Sequence, residues 1–197
     1  MKNRAGIQCV TLFRLALTRG HKGPQTLPTR GGPTMNTLIL GLGNPLVSDD
    51  GIGLKVAREV KARLAGRADV AVEEDYWGGL RLMERMVGYD RAMVIDAVWT
   101  GAAPGTILSL RPDDLPIFKS VSSHDMDLPA ALQLGRQAGL ELPDERQIVV
   151  VGIEAEDVVT FAAGCTPAVE AAIPRAVEQV VRMLNGDFAA RPREPAG

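Results

Sequence analysis

The stretch Thr37-Leu38-Ile39-Leu40-Gly41-Leu42-Gly43-Asn44-Pro45-Leu46-Val47-Ser48-Asp49-Asp50-Gly51-Ile52-Gly53 sets the architecture of this chain. Its first six residues form an apolar run that reads as a buried strand, Thr37–Leu42. A glycine-rich turn follows, and then Ile52, Val56, Val60 and Leu64 recur every four residues with Ala57 beside them. That spacing is one face of an amphipathic helix over 51–65. A strand, a tight glycine turn and a helix in this order open an α/β unit.

The glycines raise the question of a dinucleotide fingerprint. Such a fingerprint needs a third glycine three residues after Gly43, where Leu46 stands. Asp49 and Asp50 also occupy the helix start, where a pyrophosphate wants N–H groups and no negative charge. The turn reads better as a device for presenting carboxylates. The helix dipole stabilises negative charge there, and one acid of the pair can cap the helix while the other faces the strand ends.

Working outward, 69–72 begins a second strand, closed by Glu73-Glu74-Asp75, and 79–87 is a helix with Leu80, Met83, Met86 and Val87 as its apolar stripe. Arg91–Val98 contains Ala92-Met93-Val94-Ile95, a continuous apolar run expected of a strand covered on both faces, and Asp96 follows it directly. A short strand at 105–110 and a loop over 112–123 lead to a helix at 128–138. Ile148-Val149-Val150-Val151 centres another doubly covered strand at 147–153. Thr166-Pro167 starts a helix. Ile173, Val177, Val180, Val181 and Leu184 form the face of the last one, with Pro174 either kinking it or marking its first turn. This alternation predicts a three-layer αβα sandwich, a mostly parallel twisted sheet of about five strands with helices on both faces. In such a sheet, ligands sit at the C-terminal strand ends, which directs attention to the loops after residues 42, 75, 96 and 153.

Composition narrows the functions. The chain has 197 residues, is 46% hydrophobic and 23% charged, and suits one domain with a real core. No stretch approaches the apolar length of a membrane span. Cys9 and Cys165 are its two cysteines and form no CxxC, which excludes a disulfide scaffold or a structural zinc cluster and fits a reducing compartment, the cytoplasm. Residues 1–34 hold six of the 22 basic residues and no acid, leaving 16 basic against 24 acidic in the rest. So acidic a body is a poor grip for a phosphate backbone, so no nucleic-acid partner is expected, and no membrane. Residues 1–34, rich in Gly, Pro, Thr and basic residues, read as a disordered extension, an upstream over-read of the gene with Met35 as the natural start. A basic targeting leader is the alternative. Residues 35–185 read as the single α/β domain and 186–197 as a flexible tail.

With His21 in that extension, His124 is the body's one histidine, in Ser122-Ser123-His124-Asp125-Met126. Acids from two strand ends together with this imidazole make a three-ligand site with open positions. Such a mixed oxygen and nitrogen set suits nickel, zinc or manganese.

Here the sequence resembles the hydrogenase maturation endopeptidases, which trim the large subunit of nickel-iron hydrogenases. The resemblance runs over nearly all of residues 35–184. It rests on Leu40-Gly41-Leu42-Gly43-Asn44-Pro45-Leu46 with Asp49-Asp50-Gly51-Ile52-Gly53, and on Val94-Ile95-Asp96-Ala97-Val98. Pro104-Gly105-Thr106, Ser122-Ser123-His124, Leu128-Pro129 and Gly152-Ile153-Glu154 add to it. It implies that Asp50, Asp96 and His124 form the catalytic and metal-binding triad, with Asp49 as support or cap. It further implies a substrate, the nickel-loaded large-subunit precursor, cut near its C-terminus; the acidic body fits a monomer that meets this partner transiently. Nickel would be carried by the substrate or bound at the triad, with other divalent ions such as zinc as substitutes. One departure stands out: that family often has small residues before the second helix, whereas Tyr76-Trp77 precede Gly78-Gly79 here. Specificity for one hydrogenase is expected in loops such as 99–104 and 111–121.

Three rivals are weighed beside this reading. Cys165, before a helix start, is the candidate nucleophile of a cysteine hydrolase. Peptidyl-tRNA hydrolases share the Gly-Leu-Gly-Asn-Pro opening, but follow it with a catalytic His and an Asn where this chain has Ser48-Asp49-Asp50. A nickel-dependent chaperone that holds the precursor without cutting it would use the same ligands.

Overall fold

The computed structural model describes residues 35–114, 128–186 and 188. Five strands, β1 (Thr37–Leu42), β2 (Val70–Asp75), β3 (Arg91–Val98), β4 (Ile107–Leu110) and β5 (Ile148–Glu154), form one sheet in the order β2-β1-β3-β5-β4. The pairs β1–β2, β1–β3 and β3–β5 are parallel, and β4 runs antiparallel to β5. The helices are α1 (Ile52–Arg63), α2 (Gly79–Arg85), α3 (Leu128–Gln137), α4 (Pro167–Glu170) and α5 (Ile173–Asn185).

The apolar runs of the central strands divide their residues between two cores, because successive side chains leave a strand on opposite faces. Ile39, Met93, Ile95, Val149, Val151 and Ile153 pack with Ile52, Val56 and Val60 of α1 and with Ala176, Val177 and Val180 of α5. Leu38, Leu40, Ala92, Val94, Ile148 and Val150 pack on the other face with Leu82 and Met83 of α2 and with Leu128, Ala131 and Leu132 of α3. Helices on both faces of a mostly parallel sheet make the expected three-layer sandwich. Burying one Leu, Ile or Val side chain contributes about 1.5–3 kcal/mol, so the central strands anchor the domain.

The elements differ from the expected ones at specific places. β2 does not stop at the acidic run: Glu73, Glu74 and Asp75 pair in register with Leu40, Gly41 and Leu42. Arginines from the flanking helices neutralise the run. Arg58 of α1 meets Glu74 at 2.7 Å, and Arg85 of α2 meets Glu73 at 3.1 Å and the buried Asp75 at 3.0 Å. The second helix ends at Arg85, two residues short of the expected stop, and β4 begins at Ile107. Pro174 lies in the first turn of α5 and introduces no interior break. Phe188 packs under the Arg91 guanidinium, 4.9 Å from its ring centre. The expectations for residues 1–34, for 115–123 of the expected loop, and for 187 and 189–197 of the expected tail lie outside the described residues.

Candidate functional site

In the strand order β2-β1-β3, chain connections leave β1 toward opposite sides, so the crevice lies at the C-terminal ends of β1 and β3. Glycines let α1 start hard against that crevice. A Cβ on Gly53 would run into the carbonyl oxygens of Leu42 and Ile95, and one on Gly41 would lie 2.5 Å from Ala57 Cβ. Gly43 has φ +139° and faces the Asp50 carbonyl, a conformation and a spacing that only glycine tolerates. The glycine pattern that mimics a phosphate fingerprint thus serves close backbone approach.

Neither aspartate of the pair caps the helix. The turn Ser48–Gly51 and the start of α1 carry no side-chain cap. Asp49 is fully buried, and its carboxylate accepts hydrogen bonds from the N–H groups of Glu156 (2.8 Å), Asp157 (2.9 Å) and Thr166 (2.6 Å) and from the Thr166 hydroxyl (3.1 Å). It fastens the first loop to the loop after β5. Backbone bonds from Ser48 to Thr160 and from Ala162 to Leu46, around an antiparallel bridge between Val47 and Phe161, reinforce the junction. These four donors satisfy a carboxyl group that burial has cut off from bulk water.

Asp50 is held differently. Its Oδ2 accepts the Asn44 N–H at 2.8 Å, which folds the turn back on itself. Burial raises its pKa, and the Asn44 N–H works against that rise. Asp96 lies two residues before the end of β3, deep among protein atoms with part of its surface reaching solvent. Burial first, and then the neighbouring Asp50 charge, push its pKa up to about 7, against the opposing Ala97 N–H. The described ion pairs involve neither acid. Two carboxyl groups thus share the crevice, and among the described residues neither has an ion-pair partner, an arrangement that a divalent ion would relieve.

Of the three expected ligands, the structure therefore brings Asp50 and Asp96 together, while His124 lies outside the described residues. Among the described residues, no three His, Cys, Asp or Glu side chains form a metal-holding group. The two-carboxylate donor set fits a divalent cation that draws further ligands from elsewhere.

Glu154, at the end of β5, is a residue whose role the sequence reading missed. It is buried and accepts from the N–H groups of Thr100 (2.7 Å) and Gly101 (2.8 Å) and from the Thr100 hydroxyl (2.8 Å). It pins the loop that follows Asp96, as Asp49 pins the loop that carries Asp50.

Cys165 does not supply a nucleophile. Burial first, opposed by Lys55 and aided by the Glu170 and Asp49 carboxylates, pushes its thiol up to about 11, so it stays protonated near neutrality, and only the thiolate attacks. Cys165→Ala is expected to cleave within about threefold of the parent, since replacing a small half-buried thiol usually costs little. Loss of cleavage with the fold intact would restore the cysteine mechanism.

The description of the family "Hydrogenase maturation protease" matches residues 54–183. The chain is 32% identical over 164 residues to the hydrogenase 2 maturation protease of Escherichia coli K12, covering 81% of this chain and 98% of that one. It is 27% identical over 168 residues to the hydrogenase expression/formation protein HupD of Rhizobium leguminosarum bv. viciae, covering 84% and 82%. Among solved structures it superimposes on the hydrogenase maturating endopeptidase HybD of E. coli with a TM-score of 0.64 at 32% identity, covering 82% of this chain and all of that one. It shares the fold of the HycI protease of Thermococcus kodakarensis, with a TM-score of 0.58 at 21% identity over 77% of this chain and 94% of that one.

Proposed function

The chain belongs to the hydrogenase maturation protease family, and from that premise we propose that it is the endopeptidase that removes the C-terminal extension from the nickel-loaded large-subunit precursor of a nickel-iron hydrogenase. In this reading Asp50, Asp96 and His124 are the metal-binding and catalytic triad. The observation that carries it is the pairing of Asp50 and Asp96 at the β1/β3 crevice, with no ion-pair partner for either among the described residues. His124 stands four residues before Leu128, where α3 begins. That helix packs on the sheet face of Val94 and Val98, the face toward which strand alternation directs Asp96.

Nickel belongs to the substrate here: the precursor brings it, and the triad completes its coordination, so an unloaded precursor is not cut. A divalent ion at these ligands supplies Lewis acidity toward a carbonyl or a water. The chain's residues do the rest. The Asn44 N–H holds Asp50 at the crevice mouth, and Asp96 is fixed on a rigid central strand. Its carboxyl keeps a proton near neutrality until a cation displaces it. Zinc fits the same donors. No helix among the described residues is long and apolar enough to cross a membrane, and the enzyme acts in this reading as a cytoplasmic monomer.

Incubating the full chain with nickel-loaded precursor and weighing the product tests the proposal. A precursor shortened at its C-terminus is expected, together with loss of shortening in Asp50→Ala and His124→Ala. An intact precursor, still bound to the chain, would favour a non-cleaving chaperone. Hydrolysis of a peptidyl-tRNA ester would point to the rival esterase.

A further inference from the structure

Four aromatic side chains of this protein, Tyr76, Trp77, Trp99 and Phe161, are placed where a core would not use them. Both tryptophans of the sequence, Trp77 and Trp99, are about half exposed, at 53% and 54%, and Tyr76 (59%) and Phe161 (83%) are more so. The two cores contain none of the four. β1, β2, β3 and β5 run parallel, so the segments that follow them emerge at one edge of the sheet. Leu46 follows β1, Tyr76 and Trp77 follow β2, Trp99 follows β3, and Phe161 follows β5. This is also the edge that presents Asp50 and Asp96.

The segments 43–47, 76–78, 99–104 and 158–165 contain no charged residue at all. Exposed aromatics thus stand at the same strand-end edge as the acidic pair. Arg58, which lies near Tyr76, is already paired with Glu74, and the four segments supply no Lys or Arg of the kind a nucleic-acid surface needs for the phosphates. Tryptophan and tyrosine in uncharged surroundings are the side chains that dominate protein–protein binding energy. Nor is the rim loose. Glu154 pins the loop of Trp99, and the Val47–Phe161 bridge ties Phe161 to the loop of Asp50. Contacts that are rigid before binding lose less entropy when they form.

We propose that Tyr76, Trp77, Trp99 and Phe161 form the substrate-docking rim of the protease, and that its occupant is an apolar surface of the precursor polypeptide beside the segment to be cut. The inference rests on the function proposed above. The rim and the two carboxylates share one edge of the sheet, so a polypeptide held on the rim is presented to that edge, and the rim sets how tightly, and for which precursor, the crevice is filled. The aromatics touch no reacting group. They act on binding and leave the chemical step to the acids.

Because both tryptophans of the chain lie in the rim, their emission reports docking whether or not cleavage follows. On mixing the full chain with the full-length nickel-loaded precursor, the emission is expected to move to shorter wavelength. Trp77→Phe and Trp99→Phe should each remove part of the shift. In steady-state cleavage, Trp77→Ala, Trp99→Ala and Phe161→Ala should each raise KM about tenfold, the equivalent of about 1.4 kcal/mol. Their kcat should stay within twofold of the parent and their melting temperature should not change, since the side chains are exposed. An emission shift without cleavage would keep the rim and sink the protease reading. Cleavage with no shift and unaltered KM in all three alanine variants would sink the rim alone. A shift produced by concentrating the chain by itself, or by anionic phospholipid vesicles without precursor, would overturn the proposal in favour of a second copy or a lipid surface.

Discussion

Asp96→Asn is expected to abolish processing of the precursor while leaving a folded and, above neutrality, more stable protein. Asparagine keeps the shape of the side chain but removes the charge that a cation needs. The expected loss in kcat/KM is roughly 10³-fold or more, beyond the 10–100-fold typical of groups that only support a ligand. The stability change follows from linkage. The Asp96 carboxyl has its folded pKa pushed up to about 7 from an unfolded value near 3.8. As pH rises through that interval, the unfolded chain gives up a proton that the folded chain still holds. The metal-free protein therefore loses stability between about pH 4 and pH 7, and levels off above. Asp50, raised in the same direction, adds to the slope. Asp96→Asn should flatten this profile, and a bound divalent ion should flatten it in the parent. Thermal melts from pH 5 to pH 8 with a chelator, beside the precursor assay, give both readouts. A variant that still cuts at the parent rate would remove Asp96 from the site.

The largest stability effect is expected at Gly53. An alanine methyl there meets the Leu42 and Ile95 carbonyl oxygens, which belong to the backbone of β1 and β3. Flexible side chains could step aside, but two central strands cannot, so α1 must lift from the sheet. A loss of about 4 kcal/mol is expected, at the severe end for single substitutions, or a melting temperature lower by roughly 10 °C. Processing should fall with it, because Asp50 rides on the segment that α1 positions. Gly164→Ala is the control: its methyl would meet nothing within 4 Å and its φ is ordinary. Equal melting temperatures for the two variants would mean that the close approach of α1 matters little.

The central strands and their helices were legible in the sequence because their signals are local. The apolar runs of β1, β3 and β5 and the four-residue spacing of α1 need no distant partner to be read. What was missed depends on partners far along the chain. The acids of β2 look like a strand terminator until Arg58, Arg81 and Arg85 are seen beside them. Asp49 looks like a helix cap, yet its donors lie 107 to 117 residues away. Glu154 gave no more than a motif, although it closes around a loop 53 and 54 residues upstream. The rule that ligands gather at strand ends pointed to the loops carrying Asp50 and Asp96. It could not say which of two adjacent aspartates faces the crevice. The hydrogen bonds separate them: Asp49 turns inward to the 155–166 loop and Asp50 stays beside Asp96.

The two flanks of the sheet bear on how the molecule behaves in a crowded solution. An open strand invites another chain to add on and begin a fibre. Here one flank ends in three consecutive carboxylates, braced by arginines from both layers, so an approaching strand meets fixed charge where it would need free backbone. The other flank is four residues long and turned against its neighbour, too short a template to copy. Lateral polymerisation is discouraged at both margins.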